Sequence, residues 1–348
     1  MAAGPLVQVG NNNTYIPQND SRLVIEYSRN PKDFALPNYV QIRSVPKQRG
    51  VYLAIDPRQA GRLVGGDLND FVWPDGQPRP RTRQNGQEFN FRNYQTIRRN
   101  FGQPIGDIAR GEADWNVEDT QEAMQAQQAM TARTKLVQDA INLQANWDAA
   151  HWSNVTSIPG IGGTWDAALS TNLYIKKSLN YGVKRIKKST LGKVKKGQLH
   201  LVMNPNTATA IGETQEIHDV VKQSPVAYGL VTQEEGRWSE YGLPNRLYGL
   251  EVVVEDAVMV TTAKGAATQT EEYAMPDGVA FIMAKVGGLE SKGGGPSFTT
   301  VTLFAKEEMT VQRNHEERDR FLDVDVVDDV GVGITASSSG FAFRAVLS

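Results

Sequence analysis

Cysteine is absent from the 348 residues, which excludes disulfides, thiol nucleophiles and thiolate-bound metal. Histidine is scarce: His151, His200, His218 and His315 lie far apart, and none belongs to a His-Glu-x-x-His pair. No Gly-x-Ser-x-Gly elbow occurs. Residues 187–193, KKSTLGK, lack both the leading glycine and the hydroxyl after the lysine that a phosphate loop requires. Gly293, Gly294 and Gly295 precede an apolar, strand-like run rather than a helix that could bind an anion. No catalytic, cofactor-binding or metal-ligating residue is therefore expected. No apolar run approaches the roughly 20 residues needed to cross a bilayer, and residues 1–18 lack a basic start followed by an apolar core. The chain is expected to be soluble and made in the cytoplasm, without a membrane partner.

Other absences are local. Residues 112–158 contain no glycine or proline, whereas residues 65–111 are rich in both and in arginine. No lysine occurs between Lys47 and Lys135, and no acid occurs from 167 to 212, where nine Lys/Arg stand. Net charge is only −2. The balance is nevertheless segregated, +6 over residues 1–110 and −5 over 306–329. Opposite blocks on a near-neutral chain favour contact between its own copies; clustered solvated faces are the plainer reading.

Along the chain, residues 1–50 read as an extended arm with little core of its own. Residues 51–55 and 88–97 read as two strands of an antiparallel ribbon, the second with Phe89, Phe91 and Ile97 on one face. Between them Pro-Asp-Gly and Asn-Gly turn formers and Arg79, Arg81 and Arg83 make a long, basic, projecting tip. Asn116 can cap a helix over 117–152, with Glu118, Asp119 and Glu122 at its positive end. That length would span roughly 54 Å. Its apolar stripe is Val117, Met124, Met130, Val137, Ile141 and Trp147; Gln127 and Arg133-Thr134 interrupt the seam that a coiled coil would need.

A second amphipathic helix follows, with Leu169, Leu173, Ile175, Leu179, Val183 and Ile186 on its apolar side. Its polar side carries Lys176, Lys177, Lys184, Arg185, Lys187 and Lys188, which suit phosphate contact without base reading, or plain solvation. Strands are expected at 199–205, at 246–256 with a glycine kink, at 279–286, 301–312, 321–329 and 341–347, and a short helix from Thr207. Helices mixed with non-repeating strands give an α+β class.

The order of parts (arm, ribbon, long helix, second helix, LHLVMNP strand, YGLEVVVED strand, closing strands over 298–347) resembles the major capsid protein of tailed double-stranded DNA phages, the Hong Kong 97-like coat fold. The resemblance implies an N-terminal arm at 1–50 and an extended β-hairpin loop at 51–110 that lies over a neighbouring subunit. It implies a peripheral domain with the spine helix at 111–165, an axial domain at 166–296, and closing strands at 297–348, mainly peripheral. It further implies pentamers and hexamers of one chain forming an icosahedral shell in a virion around packaged double-stranded DNA. Portal protein, a separate scaffolding protein and a decoration protein are the implied partners. The lysine–asparagine weld of some members is not available to a loop without lysine.

On this resemblance, Arg79, Arg81, Arg83, Arg92, Arg98 and Arg99 are expected to lie on acids of a neighbouring copy. Glu118, Asp119, Glu307, Glu308, Glu316 and Glu317 are the candidates, since arginine forks match carboxylates. The six basic residues of the second helix are candidate non-specific DNA contacts. Two rival functions stand beside this one: the shell of an encapsulin-type bacterial compartment, and an unrelated α+β DNA-binding protein or enzyme.

Overall fold

A computed structural model of the chain describes residues 7–9, 12–14, 29–54, 72–77, 90–113, 115–223, 241–263, 265–286 and 298–348. In chain order the front part holds β1 (Val7–Val9), β2 (Asn12–Thr14), α1 (Leu36–Tyr39), β3 (Gln41–Ser44), β4 (Arg49–Ala54), β5 (Asn90–Gln95), β6 (Ile97–Gly106), α2 (Asp107–Glu112) and α3 (Val117–Ile141). The middle holds β7 (Trp152–Asn154), α4 (Tyr174–Ser189), β8 (Leu199–Met203), α5 (Pro205–Gly212), α6 (Gln215–Gln223), β9 (Arg246–Leu247), β10 (Leu250–Val254), β11 (Val258–Val260), β12 (Glu271–Tyr273) and β13 (Val279–Ala284). The chain closes with β14 (Val301–Glu316), β15 (Phe321–Ile334) and β16 (Phe341–Arg344).

Two sheets organise the molecule. A six-stranded sheet runs in the order β7-β16-β13-β8-β10-β9. Its central strands β13 and β8 are almost wholly buried; β13 (VAFIMA) has no exposed residue, as a strand covered on both faces requires. Helix α4 lays Ile175, Leu179, Val183 and Ile186 against this sheet. Gly182 allows the approach, because a Cβ there would stand 2.9 Å from the Phe343 ring. No side chain of its own caps α4. Instead buried Glu216 on α6 accepts from the amides of Ile175 (3.0 Å) and Lys176 (2.9 Å). Tyr248 donates to the same carboxylate at 2.7 Å, so one acid ties α4, α6 and the β9–β10 turn together.

A four-stranded sheet, β3-β14-β15-β6, carries α3 on one face. Val117 of α3 meets Ile105, Leu322 and Val324 in a small satellite core. Further along, Arg133 reaches Asp328 on β15 through Nε (2.8 Å) and Nη2 (2.6 Å), with both side chains almost fully buried. The apolar core is continuous from α3 and β14 into the six-stranded sheet. Where residues 29–40 cross that junction, the Tyr39 hydroxyl donates to Glu255 (2.7 Å) and accepts from Gln138 (3.2 Å), and Arg29 pairs with Asp256 (2.9 Å).

Several sequence expectations are corrected. The long helix ends at Ile141 rather than 152 and spans about 38 Å over its 25 residues. Its last carbonyls are taken by side chains of the following turn. Asn142 Nδ2 donates to Gln138 O (2.8 Å), Asn146 Nδ2 to Ala140 O (2.8 Å) and Trp147 Nε1 to Ile141 O (2.7 Å). A helix stop without glycine or proline results. Met124 is exposed at 38%, so it does not belong to the buried stripe. Helix α4 begins at Tyr174, after left-handed Leu173, and Leu169 lies outside it, 44% exposed.

The expected strand 246–256 is a hairpin: Leu247 pairs with Leu250 across Tyr248 and Gly249, both at positive φ, as a two-residue mirror-image turn demands. The strand expected over 88–97 is followed by a separate ten-residue strand, β6, which Gly102 and Pro104 conceal in the sequence. β14 and β15 run further than the sequence reading, to Glu316 and Ile334. β13 and β16 stop at Ala284 and Arg344. β16 enters the six-stranded sheet between β13 and β7, so the chain's last strand pairs with a strand from its middle.

Candidate interaction surfaces

β4 and β5 pair antiparallel, Leu53 opposite Phe91 and Val51 opposite Asn93, which forms the base of the expected ribbon. Alternation sets its two faces apart. Tyr52 and Tyr94 turn inward onto Phe304 of β14, ring centroids 5.5 and 4.8 Å away. Val51 and Phe91 belong to the other face and are 58% and 65% exposed. The hairpin is thus clamped to its own body on one side and offers an apolar side to solvent. Gly331 makes the clamp geometrically feasible: a Cβ there would lie 1.9 Å from the Gln95 carbonyl oxygen.

Arg79, Arg81 and Arg83 lie outside the described residues. Arg92 donates to the Ile334 carbonyl (3.3 Å), and Arg99 to those of Ile97 (3.2 Å) and Val330 (3.4 Å). Arg98 stands 3.4 Å from Glu307 of the same chain. Among the candidate acids, Glu118 pairs with Arg110 (2.5 Å), and Arg313 gathers Glu118 (3.7 Å), Asp119 (3.6 Å) and Glu122 (2.7 Å). These acids therefore have cationic partners within the chain. Glu308, Glu316 and Glu317 are exposed, with no ion pair among the described residues.

Two acids absent from the sequence reading join them. β15 alternates Leu322, Val324 and Val326 toward α3 with Asp323 and Asp325 on the opposite face. Glu316 sits beside them across the ladder. Partial burial first, then Asp325 and Glu316, raise the Asp323 carboxyl above its usual range. The signal lay in the repeated Asp-Val alternation at 323–326, which marks one wet and one dry strand face.

The basic residues of α4 share its exposed side: Lys176, Lys177, Lys184, Lys187 and Lys188 are exposed, and none enters an ion pair among the described residues. Arg185 differs, since its Nε and Nη2 both donate to Tyr181 Oη (3.1 and 3.0 Å).

Among the described residues no group of His, Asp or Glu could hold a metal, and no helix is long and apolar enough to cross a membrane. His151 sits 2.7 Å from Ser189 Oγ, its other ring nitrogen faces the Gly340 carbonyl oxygen, and the imidazole is fully buried.

Neither a protein-family model nor a curated sequence matches the chain; likeness is found at the level of structure. A phage-related protein from Bordetella bronchiseptica RB50 is similar at 12% identity, over 90% of this chain and 93% of that one, with TM-score 0.58. The capsid of cyanophage P-SCSP1u is similar at 9% identity, over 94% and 91%, with TM-score 0.55. The SrpI encapsulin of Synechococcus elongatus PCC 7942 is similar at 10% identity, over 97% and 92%, with TM-score 0.53. The chain has, along nearly its whole length, the mixed helix-and-sheet fold that phage major capsid proteins share.

Proposed function

We propose that this protein is the major structural component of a tailed-phage capsid, self-assembling as pentamers and hexamers into an icosahedral shell around double-stranded DNA. The observation that carries the reading is the β4–β5 hairpin, with Val51 and Phe91 turned outward while Tyr52 and Tyr94 hold it to Phe304. An apolar face held open to solvent on a paired strand is a surface for another subunit. Apolar burial at roughly 25 cal/mol per Å² supplies the adhesion.

The arginines at 79, 81 and 83 set register on a neighbour's carboxylates, and exposed pairs of this sort contribute only about 0–1 kcal/mol each. Glu308, Glu316 and Glu317, with Asp323 and Asp325, are better receptors than Glu118, Asp119 and Glu307, which Arg110, Arg313 and Arg98 already engage. The role is structural rather than enzymatic. Portal, scaffolding and decoration proteins are proposed companions of such a shell.

The likeness to an encapsulin favours one second reading, a protein-enclosing compartment with the same fold. Expression of the full-length chain, with a scaffolding partner where required, followed by light scattering tests the proposal. Multi-megadalton particles are the expected product, and a persistent monomer contradicts it. Particles that enclose DNA when made together with packaging proteins favour the phage reading; particles that only retain a protein cargo favour the compartment.

A further inference from the structure

We infer that the exposed side of α4 and the loop after it form the surface on which the backbone of double-stranded DNA rests. Lys176, Lys177, Lys184, Lys187 and Lys188 lie along one helix side, and exposed Lys193 and Lys195 follow in the loop, the first with its Nζ 5.4 Å from the Phe298 ring. From Lys177 to Lys188 the row extends about 17 Å at 1.5 Å per residue. Duplex DNA carries on the order of ten phosphate charges over that length. No acid occurs from 167 to 212 to neutralise the row, and no ion pair among the described residues engages it. A merely solvated helix face in a chain of net charge −2 would mix signs.

The residue types separate DNA from an acidic protein partner. Protein interfaces have an apolar centre and are depleted in lysine. Ile175, Leu179, Val183 and Ile186 all face the six-stranded sheet, and the surface's one exposed large apolar residue among the described residues, Leu191, lies in the loop beyond the helix rather than at the centre of the lysine row. The arginine best suited to a carboxylate, Arg185, is occupied by Tyr181. Hydrated point charges on flexible stems neutralise a backbone without reading sequence, which is what a packaged genome of any sequence needs. The identity of the polyanion rests on the shell reading above; the surface itself does not.

The test uses unassembled full-length chain and a fluorescent duplex, with affinity measured across a salt series. The triple variant K184Q/K187Q/K188Q should flatten the slope of log affinity against log salt by about 2.7, at 0.9 per phosphate contact, with an unchanged melting temperature because no core atom is touched. An unchanged slope, or a wild-type chain that fails to bind the duplex, overturns the inference. So does poly-L-glutamate that competes as well as duplex at equal charge, which would assign the face to an acidic protein. Shell formation by the same variant is scored separately. Shells with an unchanged slope defeat this inference alone, whereas a flattened slope without shells from the wild type defeats the shell reading alone.

Discussion

Arg133 sits in the middle of α3 with its guanidinium doubly bonded to Asp328, and neither side chain reaches solvent. In sequence it reads as a break in an apolar seam, because a lone arginine in a helix gives no sign of a carboxylate 195 residues away. Removing one partner strands the other charge in the interior. Arg133→Met is expected to lower unfolding stability by about 3–5 kcal/mol, and adding Asp328→Leu should restore much of it. Urea unfolding measures both; a loss under about 1 kcal/mol in the single variant would show that water reaches Asp328.

Glu255 makes a second residue-scale prediction. Burial, outweighing the Tyr39 and Ala257 hydrogen bonds, raises its carboxyl to about 7. The folded state thus holds a proton that the unfolded chain releases near 4.5. Its contribution to stability is complete below about 4.5 and is lost as pH rises through about 7, a change on the order of 3 kcal/mol. Glu255→Gln keeps an acceptor for Tyr39 and removes the titration. The fall in urea midpoint between pH 5 and pH 8 should shrink in that variant, and an equal fall in both proteins would assign the dependence elsewhere.

At the scale of elements, periodicity was legible and termination was not. Of the six residues expected on one apolar face, Ile175, Leu179, Val183 and Ile186 are buried on α4, whereas Leu169 and Leu173 precede the helix and Leu169 is exposed. The end of α3 was missed because its stop is made by Asn142, Asn146 and Trp147 side chains, which no breaker residue announces. β6 was missed because Gly102 and Pro104 look like turn formers. Gly102 instead leaves room for the Asp325 carboxylate on the neighbouring strand, which a Cβ would displace.

The β4–β5 ribbon is legible from alternation and the turn formers between its two runs, and its outward apolar face gives the element-scale prediction. Phe91→Asp should leave monomer stability within about 0.5 kcal/mol, as for an exposed position. Each intersubunit contact should lose about 2 kcal/mol, which raises the concentration needed for assembly more than tenfold. Sedimentation across a dilution series reads this threshold, and a wild-type threshold would show that the face stays bare in the particle.

For the whole molecule, the order of elements carried more information than any motif. The α+β class and the capsid fold were both legible from that order. How β16 and β7 return to the six-stranded sheet was not, because pairing over such sequence separations leaves no local mark. The proposed receptor acids show how far the sequence reaches. Their residue types stand in the sequence at 118–119 and 307–317, but that Arg98 holds Glu307, Arg110 holds Glu118 and Arg313 gathers Glu118, Asp119 and Glu122 depends on the fold. The central claim concerns what the chain becomes in company. Electron microscopy of the purified full-length protein, with and without a scaffolding partner, tests it most directly. Closed, uniform, icosahedral particles built of five- and six-fold clusters are predicted. Separate single subunits at high concentration under both conditions would contradict it.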